Sequence, residues 1–382
     1  MADAYMLEPD VGFIKELSTL GGQDLKKCFQ CATCSVACPI SPDDGPFPRK
    51  EMIAASWGLK DRLIGNGDIW LCHNCGDCTT LCPRGAKPGD VLSALRLYTI
   101  QEYATPKKIA QMVNDPKKLP VLLAIPAVIF IVLGIISNIV GLSWFHPFPG
   151  ADQVWQSDFI NNYLVDIIMI PTFTAAIAVF ALGLKNFVAD IHANSLAAGR
   201  TDQEKIDPAG FVKAIIPTIL TILSHRKFTE CTENRERSTA HMMVLYGFIG
   251  LFVVTACFFL AEWVFHIEGP YRQINPIKWL ANLAGISLVI GSVLLLKNRL
   301  AQKDGLHSYM DWYLLGLAVA LGVTGMLTEM ARLAGLMFLS NWIYFLHLIF
   351  VWSLFAYTPF SKLAHLVYRT TAMVYNEYIG RK

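Results

Sequence analysis

Six stretches of this chain, at 119–141, 162–184, 242–265, 277–297, 312–336 and 342–364, are apolar over the roughly 20 residues a helix needs to cross a membrane. Backbone N–H and C=O groups in lipid have no water to bond, so each stretch must satisfy them internally as a helix. The composition agrees: 54% of the 382 residues are hydrophobic and 16% are charged, against about 25% charged in soluble domains. The deficit is uneven. Residues 1–118 have an ordinary share of charge, while most of 119–365 is apolar. A polar unit followed by a membrane unit is expected, and a net charge of +2 gives no reason to expect nucleic acid as a partner.

Basic residues set the expected orientation. The loop 185–241 holds Lys185, Arg200, Lys205, Lys213, Arg226, Lys227, Arg235 and Arg237, whereas 142–161 holds none and 266–276 only Arg272. Lys297, Arg299 and Lys303 follow the fourth stretch, and Lys362, Arg369, Arg381 and Lys382 follow or end the sixth. The polar unit, the long loop and the C-terminus are therefore expected on the cytoplasmic face of the inner membrane. An even number of spans agrees. Within the long loop, 211–223 is apolar but too short to span, and reads as an interfacial helix. The start, Met1 to Leu20, lacks a basic stretch followed by an apolar one, so no signal peptide is expected.

The polar unit contains one cysteine pattern twice. Cys28, Cys31, Cys34 and Cys38-Pro39 form the first copy, and Cys72, Cys75, Cys78 and Cys82-Pro83 the second. Both read C-x2-C-x2-C-x3-C-P, the bacterial spacing for [4Fe–4S] clusters, in which the fourth cysteine ligates the other cluster. The expected ligand sets are Cys28, Cys31, Cys34 and Cys82 for one cluster, and Cys72, Cys75, Cys78 and Cys38 for the other. Zinc needs four donors, which two matched quartets exceed. A disulfide framework belongs to small secreted domains. Cys231 and Cys257 stand outside any ligand spacing.

The copies start 44 residues apart. Short helices are expected at 11–20, 49–63 and 89–103, with no strand alternation, so residues 1–104 read as a helical ferredoxin domain. Residues 105–118, with prolines at 106 and 116, read as a linker to a six-helix membrane domain over 119–370, and 371–382 as a cytoplasmic tail. The fold class expected is all-α.

Ionisable residues inside a bilayer default to functional readings. His347 and His365 are 18 residues apart, five turns at 3.6 residues each and about 27 Å at 1.5 Å per residue. On one unbroken helix they share a face, with one near each leaflet, as a cytochrome b holding two haems requires. His241 opens the third span at the level of His365, and the two are paired as axial ligands of a haem b. For His347 the readings are that His266 reaches back to it, that a second haem has one protein ligand, or that it serves quinone. His225 on the long loop is a ligand or quinone candidate, and His73 is placed to tune a cluster. His146, His192 and His307 read as loop residues. Toward the other leaflet stand Asp166, Glu262 and the i,i+3 pair Glu329 and Arg332. These are either an ion pair or proton acceptors for a quinol.

These residues resemble known families. Residues 10–104, with Leu25-Lys-Lys-Cys28 and Trp70-Leu-Cys72-His-Asn-Cys75, resemble the two-cluster C subunits of heterodisulfide reductases. His225 to Cys231, His241 to Phe248 and His347 to Tyr368 resemble the cytochrome b partners of those subunits, which are related to the gamma subunit of respiratory nitrate reductase. A fusion of the two is similar to the membrane C subunits of quinone-interacting membrane-bound oxidoreductases of sulfate reducers. The resemblance implies an oxidoreductase subunit moving electrons between menaquinone or ubiquinone and cytosolic flavin/iron–sulfur subunits, with adenylylsulfate reductase as eventual acceptor. The chain departs from the nitrate-reductase pattern in having Leu251, not histidine, in the middle of the third span. It contains no G-x-G-x-x-G after a strand, so a flavin belongs to a partner. The alternatives are the membrane arm of a heterodisulfide reductase-type or sulfite-reduction-linked complex, and a redox-sensing receptor.

Overall fold

The computed structural model describes residues 8–150, 154–224, 237–267, 269, 271–301 and 308–381. Among them the protein is all-α, and the one pairing of extended backbone is an isolated bridge between Phe145 and Ile160. The N-terminal unit is a set of short helices around the longer α1 (Pro88–Tyr103). The expected helix 49–63 is two, Arg49–Ser56 and Lys60–Ile64, parted at Gly58, whose φ of 69° suits glycine. The expected helix 11–20 ends at Leu17 and passes into a π turn over Ser18–Gly22.

Six long helices follow: α2 (Leu119–Ile139), α3 (Asn162–Ala197), α4 (Arg237–Trp263), α5 (Pro276–Ala301), α6 (Tyr309–Leu333) and α7 (Met337–Tyr357). All six are long and apolar enough to cross a membrane, which marks the chain as a multi-pass membrane protein. Their outer faces carry exposed Val, Ile, Leu and Phe side chains, Ile131, Ile135, Ile177, Phe252 and Leu283 among them. Where the expected interfacial segment lies, Pro208–Lys213 and Ile215–Ser224 are helical, with Val212, Ile216 and Leu220 exposed.

The helix of the second span continues well past 184. It runs 36 residues to Ala197, about 54 Å at 1.5 Å per residue against a hydrocarbon core of ~30 Å. Its overhang inserts Phe187 and Ile191 into the core of the N-terminal unit, beside Trp70, Tyr103 and Tyr368. His192 is therefore a buried helix residue, its Nδ1 2.9 Å from the Tyr375 hydroxyl, and not a loop residue.

The sixth span is also not one helix through 364. The helix α7 stops at Tyr357, two 3-10 turns cover Thr358–Phe360 and Lys362–Ala364, and α8 (His365–Tyr378) starts anew. Pro359 has no N–H for the ladder, and Ser361 is extended at φ −108° and ψ 173°. The face shared by His347 and His365 on one straight helix does not exist.

The expected linker, 105–118, is partly helical. It holds the helix Lys107–Val113, whose Ala110 and Val113 are 0% exposed in a cluster with Met310, Tyr313 and Phe360. The expected tail from 371 is packed as far as Arg381. Ala372, Val374 and Tyr375 of α8 are buried, and Arg381 bonds Asp68 and Asp44 of the N-terminal unit.

Candidate electron-transfer site

The two cysteine loops are copies in backbone as well as in sequence. Gln30 and Ala32 have φ of 63° and 69°, and the equivalent Asn74 and Gly76 have 53° and 105°. One left-handed residue in each x2 gap, two per loop, makes the chain turn between successive cysteines. The short helices Thr33–Val36 and Asp77–Thr80 then present Cys34 and Cys78. Backbone N–H groups reach the sulfurs: Asn74 N donates to Cys72 Sγ at 3.3 Å and Ala86 N to Cys82 Sγ at 3.4 Å. None of the described cysteines is in a disulfide.

The thiols fall into two neighbourhoods. Burial pushes Cys34 up to about 11, and Cys28, Cys82 and Cys31 act on it as neighbouring charges. Burial likewise pushes Cys38 up to about 12, with Cys72 and Cys75 adding to it. Cys78 is raised by burial and then by Cys72, Cys38 and Cys75, with Cys34 of the other set acting least. A small cavity is lined by Cys38, Cys72, Cys75 and Cys78, closed by Phe47 and Leu92. Among the described residues no three His, Cys, Asp or Glu groups converge tightly enough for a single metal ion.

The loops differ in exposure. Cys72 and Cys78 are buried, while Cys31 is open to solvent, flanked by Phe29 at 67% and Val36 at 86% exposure. Arg84 lies 4.1 Å over the Phe29 ring.

A cavity of about 1790 Å³ begins at the second loop, lined there by His73 to Gly76, and runs between α3–α7. A typical ligand pocket holds about 300–1,000 Å³, so this one has room for more than one ligand. His241, His365 and His347 all line it. The break after Tyr357 has thus separated the helices of His347 and His365 without separating the cavity that both face.

Two of these rings are held as metal-binding histidines are, with one nitrogen donating to a protein oxygen and fixing the tautomer. His365 Nδ1 donates to the Lys362 carbonyl at 2.6 Å. A carbonyl only accepts, so Nε2 holds a lone pair. Burial, and then Lys362, Arg96 and Arg369, push His365 down to about 3, keeping the ring neutral as ligation requires. The Thr324 hydroxyl gives its proton to the Ala320 carbonyl at 2.6 Å and accepts from His347 Nδ1 at 2.9 Å. Here too Nε2 is left as the acceptor. A Cβ on Gly325 would lie 3.1 Å from His347 Cε1, so glycine makes room for the ring.

His266 does not join them. It lies exposed beyond the end of α4, with φ 52°, and does not line the cavity, so it is not brought to His347. His225, Cys231 and His307 lie outside the described residues.

The far end of the cavity is polar. Glu329 accepts from Arg332 at 2.8 and 2.9 Å, so the i,i+3 ion pair forms. Lys278 at 2.9 Å and Gln273 join the same carboxylate. Asp166 accepts from Trp263 Nε1 at 2.8 Å, and Glu262 from Asn162 at 2.8 Å. Lys278 was not singled out from the sequence, although a lysine within an apolar span is itself a signal. Thr324, Arg96 and Gln273 had no local signal.

Residues 24–86 match the family described as a 4Fe-4S dicluster domain. Two curated relatives, the C subunits of the H(2):CoB-CoM heterodisulfide,ferredoxin reductases of Methanothermobacter thermautotrophicus and Methanothermobacter marburgensis, are each 39% identical over 56 residues. The match covers 14% of this chain and spans 30% of each relative's length. No solved structure matches the chain. The chain thus pairs an iron–sulfur domain with six membrane-capable helices and is a membrane redox subunit in outline.

Proposed function

We propose that this chain moves electrons between a quinone in the membrane and soluble redox subunits, through haem b and two [4Fe–4S] clusters. The observation that carries this reading is the single cavity joining the second cysteine loop, three histidines and a polar outer end. When bound, haem and clusters supply one-electron chemistry. The residues of the chain hold, orient and insulate them.

Cys28, Cys31, Cys34 and Cys82 are proposed to hold one cluster, and Cys72, Cys75, Cys78 and Cys38 the other. The grouping of charges among these thiols and the cavity lined by the second set support the exchange of fourth ligands. His365 and His241 are proposed to hold an inner haem b, and His347 an outer group, a second haem or quinone. The outer Glu329–Arg332–Lys278 cluster anchors a menaquinol or ubiquinol head group, and Asp166 and Glu262 take the two protons released with its two electrons. The second loop faces the cavity and the first faces solvent, so a soluble partner would dock at the first. Flavin/iron–sulfur subunits fit that place, with adenylylsulfate reductase as eventual acceptor in sulfate respiration. The concentration of basic residues in the loops on its side supports a cytoplasmic iron–sulfur domain. The likeness to the C subunits of heterodisulfide reductases favours, as a second reading, the membrane arm of a complex of that kind.

An anaerobic spectrum of the purified chain, with iron and haem quantified, tests the proposal. Eight irons from two [4Fe–4S] clusters and at least one low-spin b-type haem are expected. His365→Ala should remove an inner low-spin signal, and His347→Ala only an outer one or quinone binding. A full haem spectrum in His365→Ala would leave that residue as a buried anchor and sink the inner site.

A further inference from the structure

We propose that Arg369 is a positioning residue that ties the His365 helix to the second cysteine loop and raises the reduction potential of the cluster held there. The inference rests on the functional reading above, in which that loop holds a cluster and His365 a haem. Arg369 is four residues after His365 on α8, so both side chains lie on one face, and both line the cavity. The Arg369 guanidinium spans the gap to the loop. Its Nη1 lies 3.5 Å from the Cys72 carbonyl and its Nη2 3.0 Å from His73 Nε2. Arg96, buried on α1, donates to the same carbonyl at 2.9 Å. A carbonyl has two lone pairs and can accept from both.

Neighbouring residues fix the same join. Tyr368 stacks on Trp70 with ring centroids 5.5 Å apart and planes 21° apart, and Trp70 stands two residues before Cys72. The His365 helix and the cluster loop are thereby joined by one aromatic stack and the Arg369 guanidinium, while Arg96 fastens the same carbonyl to α1. Positive charge and hydrogen bonds beside a cluster favour its reduced, more negative state, and the effect is strong where water is excluded. The first loop has cations of its own, the exposed Arg84 over Phe29 and Arg49, whose Nε donates to the Gln30 carbonyl at 3.0 Å. That contact is exposed, so solvent screens it. The asymmetry makes the second loop the better electron acceptor from the haem side.

The test uses the full chain with its cofactors, titrated electrochemically and followed by electron paramagnetic resonance. The second-loop signal is assigned by its loss in Cys75→Ser. Wild-type protein without two cluster signals and a b-type haem would overturn the functional reading and the inference together. With those present, Arg369→Gln should keep iron and haem content and shift the second-loop reduction equilibrium about tenfold toward oxidised, ~59 mV for one electron. The first-loop cluster should not move. Arg369→Lys, which keeps the charge but not the fork, should shift it less, about threefold, and gives the reading if Arg369→Gln does not assemble. No shift in either variant, or equal shifts at both clusters, would overturn the role given to Arg369 while leaving the functional reading intact.

Discussion

Glu51 shows how much a single buried charge constrains this chain. Its side chain is 1% exposed, and burial, followed by the neighbouring Asp68, pushes it up to about 7. Below its unfolded value near 4.5 the group is protonated in both states. Between there and about 7 the folded state binds the extra proton, so stability falls as pH rises through that window. The loss is on the order of 3 kcal/mol. Glu51→Gln should remove the slope and stabilise the protein above pH 7, measured by thermal unfolding across pH 5–8; an unchanged slope would rule Glu51 out as its source. The proposed ligand sets are tested at the same scale. Cys38→Ser should damage the cluster nested in the second loop and Cys82→Ser the one in the first, read as separate paramagnetic signals. Loss of only the mutated loop's own signal would mean that the fourth ligands are not exchanged.

Among the elements, α8 does the most that the sequence did not advertise. It brings His365 to the cavity, Arg369 to Cys72, and Tyr368 and Tyr375 into the N-terminal core. Its end is fastened by Arg381, whose side chain is 3% exposed against an Asp68 at 0%. Lys50 and Arg200 share that carboxylate. Against the cost of burial, the three cations hold Asp68 below its usual range. Removing one partner of such a buried pair costs about 3–5 kcal/mol. Two other cations remain here, so Arg381→Ala should cost roughly 2 kcal/mol of unfolding free energy, measured by denaturant titration of the cluster absorbance. A change within ~0.5 kcal/mol, as for ordinary surface sites, would show that the C-terminus is not fastened. The long α3 performs the complementary task, reaching out of the apolar layer so that Phe187 packs on Trp70.

For the whole molecule, membrane topology is the property most open to direct test. Residues 13–103 and the C-terminal helix share one core, so they must lie on one side. A reporter fused after Lys382 should be active only in its cytoplasmic form, because the basic residues concentrate in the loops on that side; activity only outside would invert the assignment. The two cysteine copies and the six apolar stretches were legible from the sequence because each is dictated locally. Thiol spacing sets what a loop can wrap, and a run of apolar residues can satisfy its backbone in lipid only as a helix. The break at Pro359 was only half legible: proline marks a place where a helix can kink or stop, and packing decides which. The carboxylates at the outer end were visible as misplaced charges, but Lys278, Gln273 and Asn162 became their partners only through contacts between elements far apart in sequence. The same is true of the overhang of α3 and the docking of α8. Local pattern determined the elements and the chemistry each could hold. Only tertiary packing, which depends on side chains far apart in sequence meeting at close range, decided that the cysteine loop, His365 and His347 line one cavity.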